Sequence, residues 1–272
     1  MSECSEYKYI HNSELRNSSE FENDFFKKGL SFYEVMRVVE SKPIFLEDHL
    51  MRLQKSAKKV GLSIWLNYSE LVAKIKLVIS TNGIDEGNIK IVFNINENKR
   101  NFYCYFVQHK YPGKEKYAEG VHTIIYQAER NNPNAKVYDD KLRSYTNMLI
   151  ENPDVYEVIL MDDLDYIREG SRSNLFFIEG DKLVTAPDDD VLNGIVRKKI
   201  IEICERIGIP VSKEKIAYNK LSEFDAAFLT GTSPQVLPIK SINMIFFNVN
   251  HPLLKSLLEI YRNELVNYLV EN

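Results

Sequence analysis

The feature that most constrains the fold is a run of short apolar segments between Val155 and Ala186, separated by tight turns. Strand-like VYEVILM is followed by the turn DDLD, then by YIREGS, NLFFIE, a Gly-Asp turn and KLVTA. Strand-like segments this short, joined by turns this tight, pair with their chain neighbours as antiparallel hairpins. This region therefore predicts an antiparallel sheet in the second half of the chain.

Glu169 lies inside this predicted hairpin region. One interpretation is a solvated strand residue that faces Arg168 or Arg172, which is the commoner situation for a single Glu on a strand. The other interpretation is that Glu169 faces a positively charged ligand atom held over the sheet. The segment alone leaves both interpretations open.

Helices interrupt the strands without a regular β-α alternation. The spacing of Leu50, Leu53 and Ala57 puts them on one face of a helix over 48–60. Further helices are predicted from an N-cap at Ser69, from about Leu142, over 195–207 and from about Pro252. Strands dominate the first part of each half, with NIKIVFNI and NFYCYFVQH around a polar turn in the first half. This order favours an α+β fold over a doubly wound sheet.

The length of 272 residues predicts two packed lobes. The most turn-rich polar stretch in the middle of the chain is KYPGKEKYAEG, which ends at Gly120. We therefore predict a smaller N-terminal lobe over 1–112, a linker over 113–120 and a larger C-terminal lobe over 121–272.

The charge pattern argues against several classes of partner. The net charge is -4, and the basic residues are scattered among acidic ones, so nucleic acid and anionic membranes are not expected as main partners. No apolar run is long enough to span a membrane, and the first residues lack the pattern of a signal peptide, so a cytoplasmic protein is expected. The three cysteines are far apart and the five histidines show no ligand spacing, which predicts reduced thiols and no metal site.

One candidate site is the loop DDDVLNG that leads into the helix over 195–207. Gly194 would let the backbone approach a ligand closely, and the N–H groups near Ile195 and Val196 would point at an anion such as phosphate. When this motif is taken alone, an ordinary Gly-containing loop before a surface helix is the favoured interpretation.

Four other residues are weak candidates individually. Thr232 and Ser233 follow a predicted strand and could hold phosphate or carboxylate oxygens, although Thr-Gly-Thr-Ser-Pro is typical of a simple turn. Arg52 could grip a phosphate in a bidentate manner, although most helix arginines are solvated. Lys141 lies where a loop enters a helix, and spacing alone does not distinguish it from the other lysines.

Taken together, these motifs resemble the class IV (fold type IV) pyridoxal-phosphate aminotransferases, a family that includes branched-chain aminotransferase, D-amino-acid aminotransferase and aminodeoxychorismate lyase. The resemblance covers nearly the whole chain and rests on the following segments, in the family's order and at its spacing: GLSFYEVMRV, FLEDHLMRLQKSA, KLRSYTNML, EGSRSNLFFIEGDKLVTAP, VLNGIVRKKIIEICERIGIPV and AFLTGTSPQVLPI. It implies a two-lobed enzyme with pyridoxal 5'-phosphate (PLP) between the lobes.

The resemblance also implies roles for individual residues. Lys141 matches the lysine that forms the internal aldimine and then shuttles a proton, and Glu169 matches the carboxylate that faces the pyridine nitrogen. Tyr145 is similar to a tyrosine that contacts the cofactor hydroxyl. The implied cofactor-binding residues are Arg52, Lys141, Tyr145, Glu169, Gly194, Ile195, Val196 and Thr232.

Two departures from the family pattern bear on the substrate. Val196 replaces the family's usual Thr, and Val35 replaces a glycine found in branched-chain enzymes. Relatives that act on D-amino acids carry an Arg and a His on the strand pair that corresponds to NIKIVFNINENKRN. At the end of that strand this chain has Asn94, Ile95 and Asn96, so that carboxylate trap is not expected here. Lys90 falls about where branched-chain enzymes place an Arg near the substrate carboxylate, although it could also flank a strand with its ammonium in solvent.

The resemblance therefore implies transfer of the amino group of an L-amino acid, branched-chain or otherwise hydrophobic, to 2-oxoglutarate by a homodimer. Phe32, Tyr33 and Val35 would line a mostly apolar substrate pocket, and the implied substrate-binding residues are Tyr33, Lys90, Thr232 and Ser233. Aminodeoxychorismate lyase activity, which releases 4-aminobenzoate and pyruvate, and D-amino-acid transamination remain alternatives. A non-catalytic protein that kept the fold is a third alternative, which the retained Lys141 and Glu169 disfavour.

Overall fold

The computed structural model describes residues 2–271, in which sixteen strands and six α-helices alternate irregularly. The strands are β1 (Lys8–His11), β2 (Glu14–Asn17), β3 (Leu30–Val39), β4 (Lys42–Pro43), β5 (Gly87–Asn96), β6 (Lys99–Val107), β7 (Val121–Gln127), β8 (Glu157–Met161), β9 (Tyr166–Gly170), β10 (Asn174–Glu179), β11 (Lys182–Thr185), β12 (Val211–Lys213), β13 (Ile216–Ala217), β14 (Ala226–Gly231), β15 (Gln235–Ile242) and β16 (Ile245–Phe246). The helices are α1 (Leu46–Lys59), α2 (Tyr68–Asn82), α3 (Lys114–Glu119), α4 (Asp140–Ile150), α5 (Ile195–Ile207) and α6 (Pro252–Glu271). The α+β fold class is confirmed.

The chain divides into two compact units. Unit 1 consists of Met1–Lys110, Ala135–Tyr138 and Val266–Asn272, and unit 2 consists of Tyr111–Asn134 and Asp139–Leu265. Residues 113–120, predicted as a linker, instead contain α3 inside unit 2. Glycines delimit this helix, with Gly113 as its N-cap and Gly120 at positive φ as its C-cap, so the turn-rich composition marked the ends of a short helix.

Unit 1 contains a six-stranded sheet in the order β2-β1-β6-β5-β3-β4. The β3, β5 and β6 strands are antiparallel, and successive side chains point to opposite faces. One face joins a core with the inner sides of α1 and α2, to which Phe32, Leu53 and Ile75 belong. The other face carries an aromatic cluster that includes Tyr33 and Tyr105.

The helices of unit 1 follow their predicted patterns with one correction. In α1, Leu50, Leu53 and Ala57 are buried, as the spacing predicts. The N-cap of α2 is Asn67 and not Ser69, because the Asn67 side chain accepts from the Glu70 N–H while Glu70 reaches back to the Asn67 N–H. The Ser69 hydroxyl instead donates to Asn67. The sequence does not distinguish the two potential caps, because Asn67 and Ser69 lie close together in it.

Unit 2 contains a larger sheet of ten strands, in which the order β12-β11-β10-β14-β15-β7-β8-β9-β13 forms the path and β16 pairs with β15. The predicted hairpins are present as β8–β9 and β10–β11, which are antiparallel. Leu175, Phe177 and Leu229 contribute to the core of this unit. The opposite face at the start of β10 carries polar groups, and the candidate site is built there.

The remaining helices agree with prediction to within two residues. The α5 helix spans the predicted 195–207, α6 begins at the predicted Pro252, and α4 begins at Asp140, two residues before Leu142. None of the described helices has the length and hydropathy needed to cross a membrane. Cys4, Cys104 and Cys204 are buried free thiols.

Candidate active site

Glu169 lies on β9 and is only 3% exposed. Its Oε1 accepts a 2.8 Å hydrogen bond from Nε of Arg130, and its Oε2 accepts from Asn174 Nδ2 and from the Leu192 N–H, each at 3.1 Å. A buried carboxylate requires a cation and hydrogen-bond donors, and Glu169 has both. Unit 2 therefore holds a fixed anion at one face of its sheet.

The alternative that Glu169 is a solvated strand residue facing Arg168 or Arg172 is wrong, because Glu169 is buried. Arg168 binds Asp162 and Asp190 instead. Arg172 donates to the Asn147 side chain on α4. The cation beside Glu169 comes from a loop 39 residues earlier in the chain, which no local pattern indicates.

The loop before α5 approaches this carboxylate closely. Asn174 Nδ2 donates to both Glu169 and the Leu192 carbonyl oxygen, so one amide joins β9, β10 and the loop. A Cβ at Gly194 would lie 2.0 Å from Asn174 Oδ1. Glycine therefore lets the loop approach the Asn174 side chain closely, with an ordinary backbone φ of -63°. The predicted close approach of Gly194 to a ligand stays a prediction.

Gly194 is the N-cap of α5 and provides no side-chain cap. The N–H groups of Ile195 and Val196 belong to the first turn of the helix, where no helical carbonyl can accept from them. They carry the positive end of the helix dipole and suit an anion. Their assignment to a phosphate stays a prediction.

The end of β14 adds hydroxyl groups to unit 2. Thr230 pairs with Asn174 across the sheet and is 1% exposed, and its buried Oγ1 has no hydrogen-bond partner among the described residues. A buried hydroxyl without a partner is costly in a native fold. Thr232 and Ser233 follow in the turn and are half-buried. Their predicted contacts with phosphate and substrate stay predictions.

Lys141 lies in the first turn of α4, whose N-cap Asp139 accepts a 3.0 Å hydrogen bond from the Leu142 N–H. The Lys141 side chain is exposed. Tyr145, one turn further along α4, is 43% exposed and stacks on Tyr126 with ring centroids 4.5 Å apart. The cofactor contacts predicted for both residues stay predictions.

Arg52 in unit 1 is 8% exposed and binds Glu34 of β3. Its Nε and Nη2 donate to the two carboxylate oxygens at 2.7 and 2.6 Å, and His49 Nδ1 lies 2.8 Å from Oε2. Burial alone would raise the pKa of Glu34, but the Arg52 guanidinium and the His49 hydrogen bond lower it to about 2. Burial lowers the pKa of His49. The alternative that Arg52 is a solvated helix residue is thus wrong. The predicted contact between Arg52 and a phosphate stays a prediction.

The predicted apolar substrate pocket needs one correction. Phe32 and Tyr33 are neighbours on β3 and point to opposite faces of the sheet, so Phe32 lies in the helix-packed core and not beside Tyr33. Val35 shares the face of Tyr33 and packs against the same aromatic cluster. Lys90 is 5% exposed on that face, which excludes the alternative that its ammonium lies in solvent.

Comparison with known proteins identifies the family. The family model described as amino-transferase class IV matches residues 31–242, which is more than half of the chain. The chain belongs to the class IV aminotransferases. It is an enzyme, and its cofactor is PLP, which the family's aminotransferases use.

Individual relatives of this class IV aminotransferase differ in their names. It is similar to a D-alanine aminotransferase of Bacillus licheniformis (26% identity, covering 87% of this chain and 88% of the relative) and to a probable branched-chain-amino-acid aminotransferase of Rickettsia conorii (28%, covering 85% of each). A solved branched-chain aminotransferase of Thermoproteus uzoniensis with norvaline aligns with TM-score 0.84 and 23% identity, covering 97% of this chain and 96% of that one. This structural likeness confirms the fold.

The polar groups of unit 2 fit PLP chemically. The cofactor has a dianionic phosphate and a basic ring nitrogen, and unit 2 presents a helix N-terminus with no room for a Cβ, an unpartnered buried Thr230 hydroxyl and a fixed anion at Glu169. These features lie on or beside β9, β10, β14 and the start of α5. The residues present in this aminotransferase therefore suit the group that its family uses.

The sequence alone does not point to several residues around the candidate site of this aminotransferase. Arg130 resembles any Arg in a polar loop, and Asn174 resembles any polar residue at a strand start. Glu157, which is 4% exposed, accepts from the hydroxyls of Ser171 and Ser173 and fixes the turn after Glu169. Only Glu157 gave a signal, because it is an acid at the start of an otherwise apolar strand.

Proposed function

We propose that this class IV aminotransferase transfers the amino group of an L-amino acid with a branched-chain or other hydrophobic side chain to 2-oxoglutarate. The observation that carries the preference for L over D substrates is Asn94. Its Nδ2 lies within hydrogen-bond distance of the Phe25 and Lys28 carbonyls and the Ser31 hydroxyl. Asn94 is thus a neutral, structurally committed residue where D-acting relatives carry a cationic carboxylate trap.

Bound PLP supplies an electron sink for the electrons released when the substrate Cα loses its proton. We propose that Lys141 would hold the cofactor through Nζ and that the Nζ amine, once released from the cofactor by the substrate's amino group, would carry that proton. Glu169 would face the ring nitrogen and favour its protonated form, and Arg130 would keep the carboxylate in position. The 2.8 Å bond between Arg130 and Glu169 supports this arrangement because it fixes the position of the carboxylate.

The phosphate would be bound by backbone and side-chain donors. We assign this role to the N–H groups of Ile195 and Val196, the Thr232 side chain and the Arg52 guanidinium, with Gly194 allowing close approach. The bidentate bond between Glu34 and Arg52 supports the assignment of Arg52, since it fixes the plane of the guanidinium. Val196 keeps the N–H donor of the family's Thr and removes its hydroxyl.

We assign substrate binding to Tyr33, Lys90, Thr232 and Ser233, and a contact with the cofactor hydroxyl to Tyr145. The aromatic surroundings of Tyr33 support a hydrophobic substrate side chain. From the family resemblance we further propose a cytoplasmic homodimer. Light scattering that showed a fully active monomer would contradict the dimer.

A second candidate function is D-amino-acid transamination, which the similarity to a D-alanine aminotransferase favours. Aminodeoxychorismate lyase activity, the third, would pass through the same proton removal and then release pyruvate without an amino acceptor. The three functions therefore differ in substrate and acceptor, which makes them separable in one experiment.

The first experiment is a visible absorbance spectrum of the PLP-loaded protein, recorded before and after each member of a panel of L- and D-amino acids. Lys141→Ala is measured beside it, with Lys255→Ala as the matched control, because Lys255 is also an exposed helix lysine. We expect a cofactor band that is lost only in Lys141→Ala and that shifts with hydrophobic L-amino acids.

Each of the other possible results of this experiment would support a different conclusion. Shifts with D-amino acids alone would establish the second candidate. A band that no amino acid shifts, with pyruvate released from aminodeoxychorismate, would establish the lyase. A band that survives unchanged in Lys141→Ala would show that Lys141 does not attach the cofactor.

A further inference from the structure

The surroundings of Lys90 differ from those of an ordinary strand lysine. Its ammonium nitrogen lies between 4.9 and 5.9 Å from the centroids of four aromatic rings, those of Phe26, Tyr33, Tyr105 and Tyr138. We call Lys90 and these rings the Lys90 box. Aromatic faces attract a cation, but they do not replace the anion that a buried ammonium requires.

The anion in the Lys90 box is Glu3. Its Oε1 lies 2.5 Å from Lys90 Nζ, and its Oε2 accepts a 2.8 Å hydrogen bond from the Tyr105 hydroxyl. No other carboxylate of the described chain forms an ion pair with Lys90. The two donors, one for each oxygen, are arranged as a receptor for a carboxylate.

The backbone around Glu3 explains why this residue reaches the box. The Glu3 N–H donates to Asn23 Oδ1 at 2.7 Å, Cys4 forms a bridge with Val107, and the Ser5 N–H donates to the Phe106 carbonyl at 2.9 Å. The N-terminal segment therefore runs along β6, outside the named strands. The Glu3 side chain remains 30% exposed, so solvent reaches the carboxylate that fills the receptor.

We propose that Glu3 is a specificity-determining residue, an internal occupant of a carboxylate site formed by Lys90 and Tyr105. While Glu3 is in place, the Lys90 box is electrically neutral and aromatic, which suits an apolar substrate group. A second carboxylate on a substrate binds here only by displacing Glu3. This inference rests on the proposed function, in that the substrates are amino and oxo acids.

The physical argument is one of competition. Displacing Glu3 transfers its carboxylate to water at little cost because the side chain is already partly exposed, but the tethered carboxylate has a high effective concentration. A free dicarboxylate must overcome that advantage. Replacing Glu3 by Gln removes the competing charge, retains the side-chain shape and leaves the Lys90 ammonium without its anion.

The test is calorimetric titration of the PLP-loaded enzyme with glutarate, a dicarboxylate that has no amino or oxo group to react. We expect Glu3→Gln to bind glutarate at least about tenfold more tightly than the wild type. Glu6→Gln, with the same charge change in the same segment but no recorded contact with Lys90, should bind like the wild type. The double variant Glu3→Gln/Lys90→Met should lose the gain.

Further measurements separate specificity from folding and from the proposed function. Thermal melts show whether Glu3→Gln is folded, and Glu3→Asp, which retains the charge, should lie between Glu3→Gln and the wild type in affinity. In turnover, Glu3→Gln should lower the KM of a dicarboxylic amino acceptor more than it changes kcat. Equal glutarate affinity in Glu3→Gln and the wild type, or a gain that persists in the double variant, would overturn the proposal.

Failure of the proposed function would be recognised separately. If no amino acid shifts the cofactor band while Glu3→Gln still gains glutarate affinity, the carboxylate site stands and the transaminase assignment fails. If the band shifts as expected and the affinity is unchanged, the transaminase assignment stands and Glu3 is only a tether for the N-terminal segment.

Discussion

Lys90 and Lys141 are the two lysines that the sequence analysis singled out, and they occupy opposite kinds of environment. Lys90 is 5% exposed, is surrounded by aromatic rings and is bound to a carboxylate. Lys141 is exposed in the first turn of α4, and no hydrogen bond of its side chain is recorded in the described structure. The surroundings of Lys90 therefore suit a fixed charge, whereas those of Lys141 suit a reactive amine.

The difference teaches which property makes a lysine reactive. Lys90 is buried and bound to a carboxylate, so it is suited to act as a fixed positive charge. A nucleophilic lysine must be able to lose its proton, which requires desolvation or a nearby positive charge without a permanent anion. Lys141 is exposed and has no carboxylate bound to it among the described residues.

Among the substitutions that test this contrast between the two lysines, Lys141→Ala should have the largest effect, which is a loss of turnover. If Lys141 attaches the cofactor as proposed, its loss should reduce transamination roughly a thousandfold or more. The free energy of unfolding of the PLP-free protein should change by less than about 0.5 kcal/mol, because the side chain is exposed. Turnover assays and urea titrations measure the two quantities. A large loss of stability would show that Lys141 has a structural role.

Lys90→Met should give the opposite result, a clear loss of stability. The substitution keeps the apolar stem and removes the ammonium, so that Glu3 loses its cation and keeps only the hydrogen bond from the Tyr105 hydroxyl. We expect a decrease of about 2 kcal/mol in the free energy of unfolding, less than for a fully buried pair because Glu3 is 30% exposed. Urea titration measures it. Adding Glu3→Gln to Lys90→Met should recover part of the loss, and an additive loss would contradict the pairing.

The contrast also shows what the sequence could and could not predict. Alternation on β5 and β3 places Lys90 and Tyr33 on one face, and the helical period places Lys141 at the start of α4, so the elements and faces follow from local patterns. The partner of Lys90 does not follow, because Glu3 is 87 residues away and lies outside any strand. Pairings between distant parts of the chain depend on the folded sheet.

The same limit applies to the carboxylates. Glu169 was singled out from its place in a hairpin and its resemblance to a family motif, but its cation, Arg130, is in a loop whose composition is that of a solvated turn. Glu34 lies inside the segment GLSFYEVMRV, and nothing in that segment predicts a role for it. The sequence shows an acid on a strand, and only the folded sheet shows that Arg52 and His49 of α1 face it.

The stability of the protein at alkaline pH should depend on Tyr105 of the Lys90 box. Burial raises the pKa of Tyr105 well above its usual 10, and the Glu3 carboxylate, which accepts the Tyr105 hydroxyl, raises it further. Above pH 10 the unfolded chain loses this proton and the folded chain keeps it, so the folded state binds more protons and stability falls as pH rises. One such group contributes a slope of about 1.4 kcal/mol per pH unit.

Tyr105→Phe should therefore reduce the slope of the unfolding free energy against pH above pH 10 by the contribution of one proton. We expect the variant to be less stable than the wild type at neutral pH. Urea titrations between neutral pH and pH 11 measure the slope. Tyr7→Phe is the control, since its ring is 81% exposed. An unchanged slope in Tyr105→Phe would show that this hydroxyl ionises alike in the folded and unfolded chain.

The smallest expected effect concerns the helix start that positions Lys141. Asp139→Ala removes the acceptor for the Leu142 N–H and should cost about 1 kcal/mol of unfolding free energy, whereas Asp139→Asn keeps an acceptor and should cost a few tenths at most. If the first turn of α4 frays in Asp139→Ala, Lys141 is no longer held at a fixed place, and the cofactor band should form more slowly than in Asp139→Asn. Stopped-flow mixing of the PLP-free protein with PLP measures that rate. If the two variants differ in stability but form the band at equal rates, attachment at Lys141 does not require an ordered helix start. Lys141 and the rigidly held Lys90 would then differ in mobility as well as in environment.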